Sequence, residues 1–249
     1  MIPIINPFAN NPCEIWKYRE ATIEEMTTYG FPVRTTVPDE LICTISSPLE
    51  AANYMTNNQV SYEIERHIEH FLRNSCEFRT WRNYMPSRIP NIFTKYQRSY
   101  PLSEREYRLV NQEILRIKDF SLPIGQILFH GGAWLCNSEF MLLTRPLSTT
   151  FCPQVALREG EWRGKAYYAG ALGLWVITIR SENIPAFVYR IRGTTMGNEK
   201  EVLLPSGICL AIKNRILITH KKAYAYTDGT HYKKTIPVYL YEIDATFQS

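Results

Sequence analysis

The chain has 249 residues, of which 45% are apolar and 21% charged, and it carries a formal net charge of +4 at pH 7. This composition is ordinary for a soluble globular protein of one large domain, or of one domain with a helical extension. The mildly basic balance favours anionic ligands such as phosphates, and it is too weak to indicate a nucleic acid as the partner.

The residue pattern also disfavours several kinds of site and location. The 6 cysteines include no Cys-x-x-Cys pair, which indicates buried thiols and argues against a zinc site or a disulfide frame. The N-terminus lacks the basic and apolar regions of a Sec-type signal peptide. The most apolar window, residues 166–179, is too short to span a bilayer. We therefore expect a protein that acts in a cytosol without membrane contact, which an effector injected into a host cell would also do.

Helix signals dominate the chain up to residue 120. Thr22 and Ser103 each begin a capping box, because a Glu follows three positions later, and Ser47 precedes a proline at the first helical position. From Ser61 onward, apolar residues recur at helical spacing. The sequence therefore predicts a mainly helical N-terminal segment over residues 1–120.

Residues 76–102 interleave basic side chains with aromatic ones. This mixture can bind single-stranded nucleic acid, but it is more typical of a packed connector whose basic side chains reach the surface. His67 and His70 lie three positions apart in the helix that follows Ser61, with no evident third metal ligand. We assign both histidines structural roles and predict no metal site.

The pattern changes after residue 120 to short runs of β-forming residues. The predicted strands are residues 124–130, 146–151, 173–179, 186–190, 200–204, 208–213, 215–219 and 235–243. Residues 226–230 carry a hairpin turn signal. Residues 180–234 contain ten basic and four acidic residues, a local net charge of +6. The sequence therefore predicts a β-rich, mostly antiparallel core over residues 121–249, and an α+β fold for the chain as a whole.

Three short motifs in this core carry side chains that could bind a ligand or take part in a reaction. The first is His130 followed by Gly131, where an imidazole ends a strand and a glycine lets a ligand come close. The second is the hydroxyl triplet Ser148-Thr149-Thr150 on a strand. The third is Glu199-Lys200-Glu201, where an extended chain would put both carboxylates on one side and the lysine on the other. Each motif alone is more typical of ordinary structure than of a site.

In this order the three motifs resemble those of the mono-ADP-ribosyltransferase family, of the bacterial toxin and effector type. The resemblance covers about residues 124–213, and its most specific part runs from Asn198 through Glu199-Lys200-Glu201 to Gly207. Two positions depart from the family pattern. His130 replaces the arginine of the first motif, as in the diphtheria-toxin and poly-ADP-ribose polymerase branch, and Thr150 replaces the second serine of the second motif.

The resemblance implies a split antiparallel β-sandwich core that binds NAD as its substrate. It implies that Glu201 stabilises the oxocarbenium-like centre through the ribose 2′-hydroxyl, and that Glu199 positions or deprotonates the acceptor. His130 would bind ribose or phosphate, and Ser148 would orient Glu201. The remaining expected NAD-binding residues are Gly131, which permits the close approach of nicotinamide, Thr149 and Thr150.

Further residues are weaker candidates around the same NAD site. The expected partners of the diphosphate are Arg145, Arg190 and Arg192, and those that stack on nicotinamide are Tyr167 and Tyr168. Related bacterial effectors modify ubiquitin or small GTPases, so the resemblance implies a host protein as the acceptor. It also implies delivery to the host cytosol without a Sec-type signal.

Three other functions stay open at the level of sequence. Water could replace the protein acceptor, which would make the chain an NAD glycohydrolase. The histidine in place of the first-motif arginine would also suit a non-catalytic module that binds NAD or serves as an adaptor. A nucleic-acid binder that uses residues 76–102 is the least favoured of the three.

Overall fold

The computed structural model describes residues 2–28, 35–57, 61–98, 101–117, 119–191 and 200–247. Up to residue 120 the elements are β1 Cys13–Glu20, α1 Ile23–Thr28, β2 Thr36–Ile45, α2 Pro48–Asn57, α3 Tyr62–Asn74, α4 Cys76–Asn83, α5 Asn91–Arg98 and α6 Glu104–Leu115. Beyond residue 120 they are β3 Ile127–Gly131, β4 Phe140–Leu142, β5 Leu147–Thr150, α7 Pro153–Glu161, the 3-10 turn Trp162–Gly164, α8 Lys165–Ala169, β6 Leu172–Ile179, β7 Phe187–Val188, β8 Glu201–Leu204, β9 Ile208–Thr227 and β10 Thr230–Phe247.

The helix starts that the sequence predicts are confirmed. The Ser103 hydroxyl accepts from the Glu106 amide while the Glu106 carboxylate accepts from the Ser103 amide, which is a complete capping box. The same reciprocal pair links Thr22 and Glu25 at the start of α1. Ser61 caps α3 by accepting from the amide of Ile64. These side chains satisfy amides that the first helical turn leaves without partners.

The prediction that residues 1–120 are mainly helical is wrong in one respect, because β1 and β2 form an antiparallel two-stranded sheet there. Most positions of both strands are exposed and many are charged, so they lack the apolar alternation by which a strand is recognised. Only Cys13 and Ile15 of β1 are buried. A ribbon that contacts the core at so few positions leaves little signal in the sequence.

Beyond residue 120, eight strands form one sheet in the order β4-β9-β10-β6-β3-β5-β8-β7. The α+β class is confirmed, and all neighbours are antiparallel except the parallel pair of β6 and β10. The eight strands are connected in one hydrogen-bonded sheet with a weak joint, and its division into a split sandwich stays a prediction. At that joint β3 and β5 are paired through one residue pair, Phe129 with Thr150. Beyond this pair the two strands are free to part, which leaves room for a cleft.

The last two strands are longer than the sequence predicts. The runs 208–213 and 215–219 belong to the single strand β9, which continues to Thr227. Asp228 and Gly229 form the predicted hairpin turn, and both have positive φ angles, 51° and 76°. Past Thr219 and Val238 the β9–β10 hairpin has no further strand beside it among the described residues.

One apolar cluster unites the two halves of the chain. Trp81 and Phe93 from the helical half lie in the same core as Phe151 and Phe187 from the β-rich half. The aromatic side chains of residues 76–102 that enter this core are therefore packed, as the connector interpretation predicts. The proposed boundary between residues 120 and 121 is thus crossed by a continuous core.

Within the described ranges, no helix is long and apolar enough to cross a membrane. No group of three or more His, Cys, Asp or Glu side chains in that part of the chain is arranged to hold a metal ion. All six cysteines carry free thiols.

Candidate active site

A cleft opens at the joint of the sheet, where β3 and β5 part. It brings together residues from each of the three motifs with one face of α7 and the start of α8. The lining residues are Phe129, His130, Gly131, Ser148, Thr149, Thr150, Val155, Ala156, Glu159, Lys165 and Glu201. The motifs are far apart in sequence, and pairing of β5 with both β3 and β8 places them side by side.

Glu201 is the first residue of β8 and is only 3% exposed. Its Oε1 accepts from the Ser148 hydroxyl at 2.7 Å, and its Oε2 accepts from the Gln97 side-chain amide at 2.5 Å. Burial raises the pKa of the Glu201 carboxyl, while the hydrogen bonds from Ser148 and Gln97 act in the opposite direction. The site therefore holds an oriented carboxylate in a medium of low dielectric constant, where it acts strongly on nearby positive charge.

His130 lies at the end of β3 and donates from Nδ1 to the Ser148 carbonyl at 2.7 Å, because a carbonyl oxygen can only accept. Burial lowers the pKa of His130 to about 4. The charge of Lys165 also lowers this pKa, whereas the hydrogen bond to Ser148 raises it. The imidazole is therefore neutral at pH 7, with a bare Nε2. In this state Nε2 can accept a hydrogen bond and has none to donate, and binding of ribose or phosphate by His130 stays a prediction.

The three hydroxyls of the second motif have three different partners. The Ser148 hydroxyl donates to the Glu201 carboxylate. The Thr149 hydroxyl is buried and donates to the Val202 carbonyl at 2.6 Å, within the sheet. The Thr150 hydroxyl accepts from the Cys152 amide at 3.1 Å, ahead of α7. The geometry thus gives Ser148 a contact with the Glu201 carboxylate, and gives Thr149 and Thr150 contacts with the backbone around it.

Gly131 is required by helix packing. A Cβ at this position would lie 1.7 Å from the Ala156 carbonyl oxygen of α7. The glycine therefore lets α7 approach β3, which is a sufficient reason for its presence without a ligand. A Cβ at Gly132 would lie 3.1 Å from His130 Nε2, so the second glycine keeps the acceptor edge of the imidazole open.

Lys200 separates the two glutamates of the third motif and turns into the protein. Its side chain is fully buried, and Nζ lies 3.1 Å from Glu65 Oε1 and 4.0 Å from Glu69 Oε2 on α3. The lysine points away from the cleft, as predicted, but its φ of 53° shows a left-handed turn in place of an extended strand. Glu199 lies outside the described residues, so its position relative to Glu201 stays a prediction.

The structure places the weaker candidates elsewhere. Arg145 pairs with Glu104 and lies over the ring of Tyr107. Arg190 donates to the Ser87 carbonyl, and Arg192 lies outside the described residues. Tyr167 and Tyr168 pack against the β9–β10 hairpin, through Lys234 and Thr227. None of the described members of this group lines the cleft.

Sequence reasoning missed Gln97, Glu159 and Lys165, which contact or line the site. Glu159 and Lys165 belong to α7 and α8, two helices that the strand-like pattern of residues 121–249 concealed. Gln97 lies in the connector and has no neighbouring motif that would mark it. Among the residues that the structure describes, Lys165 is the cation that lines the cleft, and Arg145 and Arg190 do not line it.

No protein-family model matches the sequence, and no curated protein sequence matches it. Among solved structures, the fold is similar to Plx2a, an ADP-ribosyltransferase toxin from Paenibacillus larvae, with 12% identity, coverage of 78% of this chain and 91% of that one, and a TM-score of 0.34. The Vis toxin, an ADP-ribosyltransferase from Vibrio splendidus, has 11% identity, coverage of 92% and 88%, and a TM-score of 0.31. The catalytic domain of VahC from Aeromonas hydrophila has 15% identity, coverage of 79% and 99%, and a TM-score of 0.31. Plx2a and Vis are named as members of the family that the three motifs resemble.

Proposed function

We propose that the protein is an NAD-dependent mono-ADP-ribosyltransferase that transfers ADP-ribose from NAD to a protein side chain. The observation that carries this proposal is the setting of Glu201. A buried carboxylate is held by the Ser148 hydroxyl and opens on a cleft that His130 also lines. This setting supports the proposal, because strands far apart in sequence bring the carboxylate, the serine hydroxyl and the imidazole to one cleft.

The reaction breaks the bond between nicotinamide nitrogen and ribose C1′. The bonding electron pair leaves with nicotinamide, which departs as a neutral molecule, and positive charge develops at C1′ and the ring oxygen. Glu201 stabilises that charge because its carboxylate is fixed in place before the reaction begins. The acceptor then forms a bond to C1′ and loses a proton. The hydrogen bonds from Ser148 and Gln97 favour the ionised form of Glu201 that this step requires.

The cleft also offers groups suited to the rest of NAD. The bare Nε2 of His130 accepts a hydrogen bond from a ribose hydroxyl. Lys165, whose charge acts on His130, supplies positive charge for the diphosphate. Glu199 is proposed to position or deprotonate the acceptor. We propose a host protein as that acceptor, with ubiquitin and small GTPases as the first candidates to test.

The test uses Glu201→Gln, which removes the charge and keeps the shape. Wild-type protein is incubated with labelled NAD and a eukaryotic cell lysate, and both nicotinamide release and labelled protein are measured. We expect the variant to lose about 100-fold or more of both activities. Its melting temperature should stay equal or rise, because an ionised carboxylate with a raised pKa lowers the stability of the folded state at neutral pH.

The exposed Glu182→Gln is the matched control and should behave as the wild type. Near-full activity of Glu201→Gln would contradict the mechanism. Nicotinamide release without labelled protein would identify an NAD glycohydrolase instead. Binding of NAD without turnover by the wild type would identify a non-catalytic module.

A further inference from the structure

The Glu201 carboxylate receives hydrogen bonds from two separate parts of the molecule. Ser148 reaches Oε1 from the adjacent strand, and Gln97 reaches Oε2 from α5, 104 positions away in sequence. The helical half of the chain therefore contributes a side chain to the reactive group of the β-rich half. The three motifs give no role to this residue.

Helix α5 is held firmly enough to make that contact a built feature. Phe93 is fully buried, and its ring centroid lies 4.4 Å from that of Phe187 on β7. On the next turn the Tyr96 hydroxyl donates to the Pro146 carbonyl at 3.1 Å, directly before β5. Gln97 follows Tyr96, so the packing of α5 against β7 and the start of β5 aims its amide at Glu201.

Two donors constrain a carboxylate more than one does. With Ser148 alone, the carboxylate could still rotate about its terminal bond, which is a soft torsion. A second donor on the other oxygen fixes the carboxylate plane and favours the charged form. Each carboxylate oxygen has two lone pairs, so Oε2 can accept from Gln97 and from a ribose hydroxyl together.

We propose that Gln97 is a positioning residue of the ADP-ribosyl transfer reaction, which fixes the orientation and the ionised state of Glu201. The inference rests on the proposed function, since it assumes that ionised Glu201 stabilises the breaking bond. It assigns the helical N-terminal segment a part in the site, through a contact that α5 supplies.

The test compares Gln97→Ala and Gln97→Glu with Asn91→Ala, an exposed position on the same helix. Loss of a hydrogen bond to a charged group corresponds to roughly 10- to 100-fold, so we expect kcat of Gln97→Ala to fall by that factor with KM for NAD little changed. The acid limb of its pH profile should move up by about one pH unit or more. Burial raises the pKa of the Glu201 carboxyl, and in this variant one hydrogen bond fewer opposes that effect. Asn91→Ala should match the wild type.

Gln97→Glu should show the opposite pH dependence. A protonated Glu at this position can donate to Glu201, whereas an ionised one repels it, so activity should be regained toward acid pH and lost toward alkaline pH. A merely structural role would move neither profile. An unchanged profile for both variants would overturn the proposal, as would a lower KM for NAD with unchanged kcat in Gln97→Ala, which would show that Gln97 competes with the ribose.

A measurement without substrate separates this proposal from the function on which it rests. Titration of the Glu201 carboxyl by carbon NMR should give a higher midpoint in Gln97→Ala than in the wild type. An unchanged midpoint would overturn the role of Gln97 even in an active enzyme. Absence of NAD cleavage by the wild type would overturn the proposed function, while a shifted midpoint would still show that Gln97 controls the ionisation of Glu201.

Discussion

Ser148 and Thr149 are neighbours whose hydroxyls serve different purposes. Ser148 donates to the Glu201 carboxylate, and the buried Thr149 donates to the Val202 carbonyl. We expect Ser148→Ala to lower kcat/KM for NAD by about 10- to 100-fold with little change in melting temperature, since a hydrogen bond to a charged group is lost at the site. Thr149→Val should instead lower the free energy of unfolding by about 1–2 kcal/mol and keep activity.

Steady-state kinetics and thermal unfolding of both variants check this contrast. Equal effects of the two substitutions on activity would contradict the assignment of separate roles. The resemblance to the family predicted the contact of Ser148 with Glu201, whereas the strand pattern alone fixes which hydroxyls alternate but not which of them meets the glutamate. The sheet register sets Thr150 opposite Glu201 and Ser148 two positions farther along the same face, and the Glu201 side chain extends to the Ser148 hydroxyl, a direction that only the folded structure shows.

His130 makes stability depend on pH. The folded state holds its pKa at about 4, below the value near 6.5 of an exposed histidine, so the unfolded state binds more protons between these pH values. The stabilising contribution of neutral His130 is therefore complete above pH 6.5 and is lost as the pH falls toward 4. Relative to His130→Gln, the wild type should lose up to about 3 kcal/mol over this window.

Denaturant unfolding of the wild type and His130→Gln at several pH values measures the difference. Other titrating groups are common to both proteins, including Glu201, whose raised pKa acts in the opposite direction. Their effects therefore largely cancel in the difference. A constant difference between pH 4 and pH 7 would contradict a neutral, partly buried imidazole at the end of β3.

At the scale of elements, Lys200 fastens the start of β8 to α3. Its fully buried ammonium lies 3.1 Å from Glu65, so Lys200→Met leaves a carboxylate without its partner in a mostly buried setting. We expect that variant to lose about 3 kcal/mol of stability. Lys200→Met combined with Glu65→Gln should lose less than the sum of the single variants, because the second change removes the unpaired charge.

The control is Lys17→Met, which breaks an exposed pair with Glu40 whose N–O distance is 3.8 Å. Exposed pairs contribute little, so this variant should lose less than about 1 kcal/mol. Chemical denaturation of the wild type, Lys200→Met, Glu65→Gln, the double variant and Lys17→Met gives the comparison. Additive losses in the double variant would show that Lys200 and Glu65 do not act as a pair.

Elements with strong local signals were predictable, and those defined by tertiary contacts were not. Capping side chains at Thr22, Ser61 and Ser103 marked helix starts correctly, because a cap is a local hydrogen bond. The parallel pairing of β6 with β10 left no mark, since β6 is buried at all but one position and shows no alternation. Helices α7 and α8 were not predicted for a related reason, because their apolar residues lie between strand-like runs and show no clear helical spacing.

The three motifs predicted the position of the candidate site, but they could not predict the contact that Gln97 makes with Glu201. Glu201, Ser148 and His130 were predicted from the resemblance and are brought together by the sheet. Gln97 lies within α5 of the connector and reaches the site only because that helix packs on β7. A contact that depends on docking of two distant segments has no local pattern from which to read it.

At the scale of the whole molecule, the proposed boundary between residues 120 and 121 divides a continuous core. Gln126 accepts from the Ile5 amide and donates to the Ile5 carbonyl, which ties the N-terminal segment to the β-rich half. Trp81 packs against Phe151, with 5.7 Å between the two ring centroids. These contacts predict that residues 121–249 are not an independent folding unit, although the motifs all lie there.

A fragment of residues 121–249 should therefore show no cooperative thermal unfolding and should bind a hydrophobic dye, because removal of the helical half exposes Phe151 and Phe187. Full-length protein should unfold in one calorimetric transition. Supplying residues 1–120 as a second chain should restore folding, and with it the Gln97 contact to Glu201. A fragment that unfolds cooperatively by itself would show that the β-rich half is a domain in its own right, and that the helical half is an addition to a site already complete.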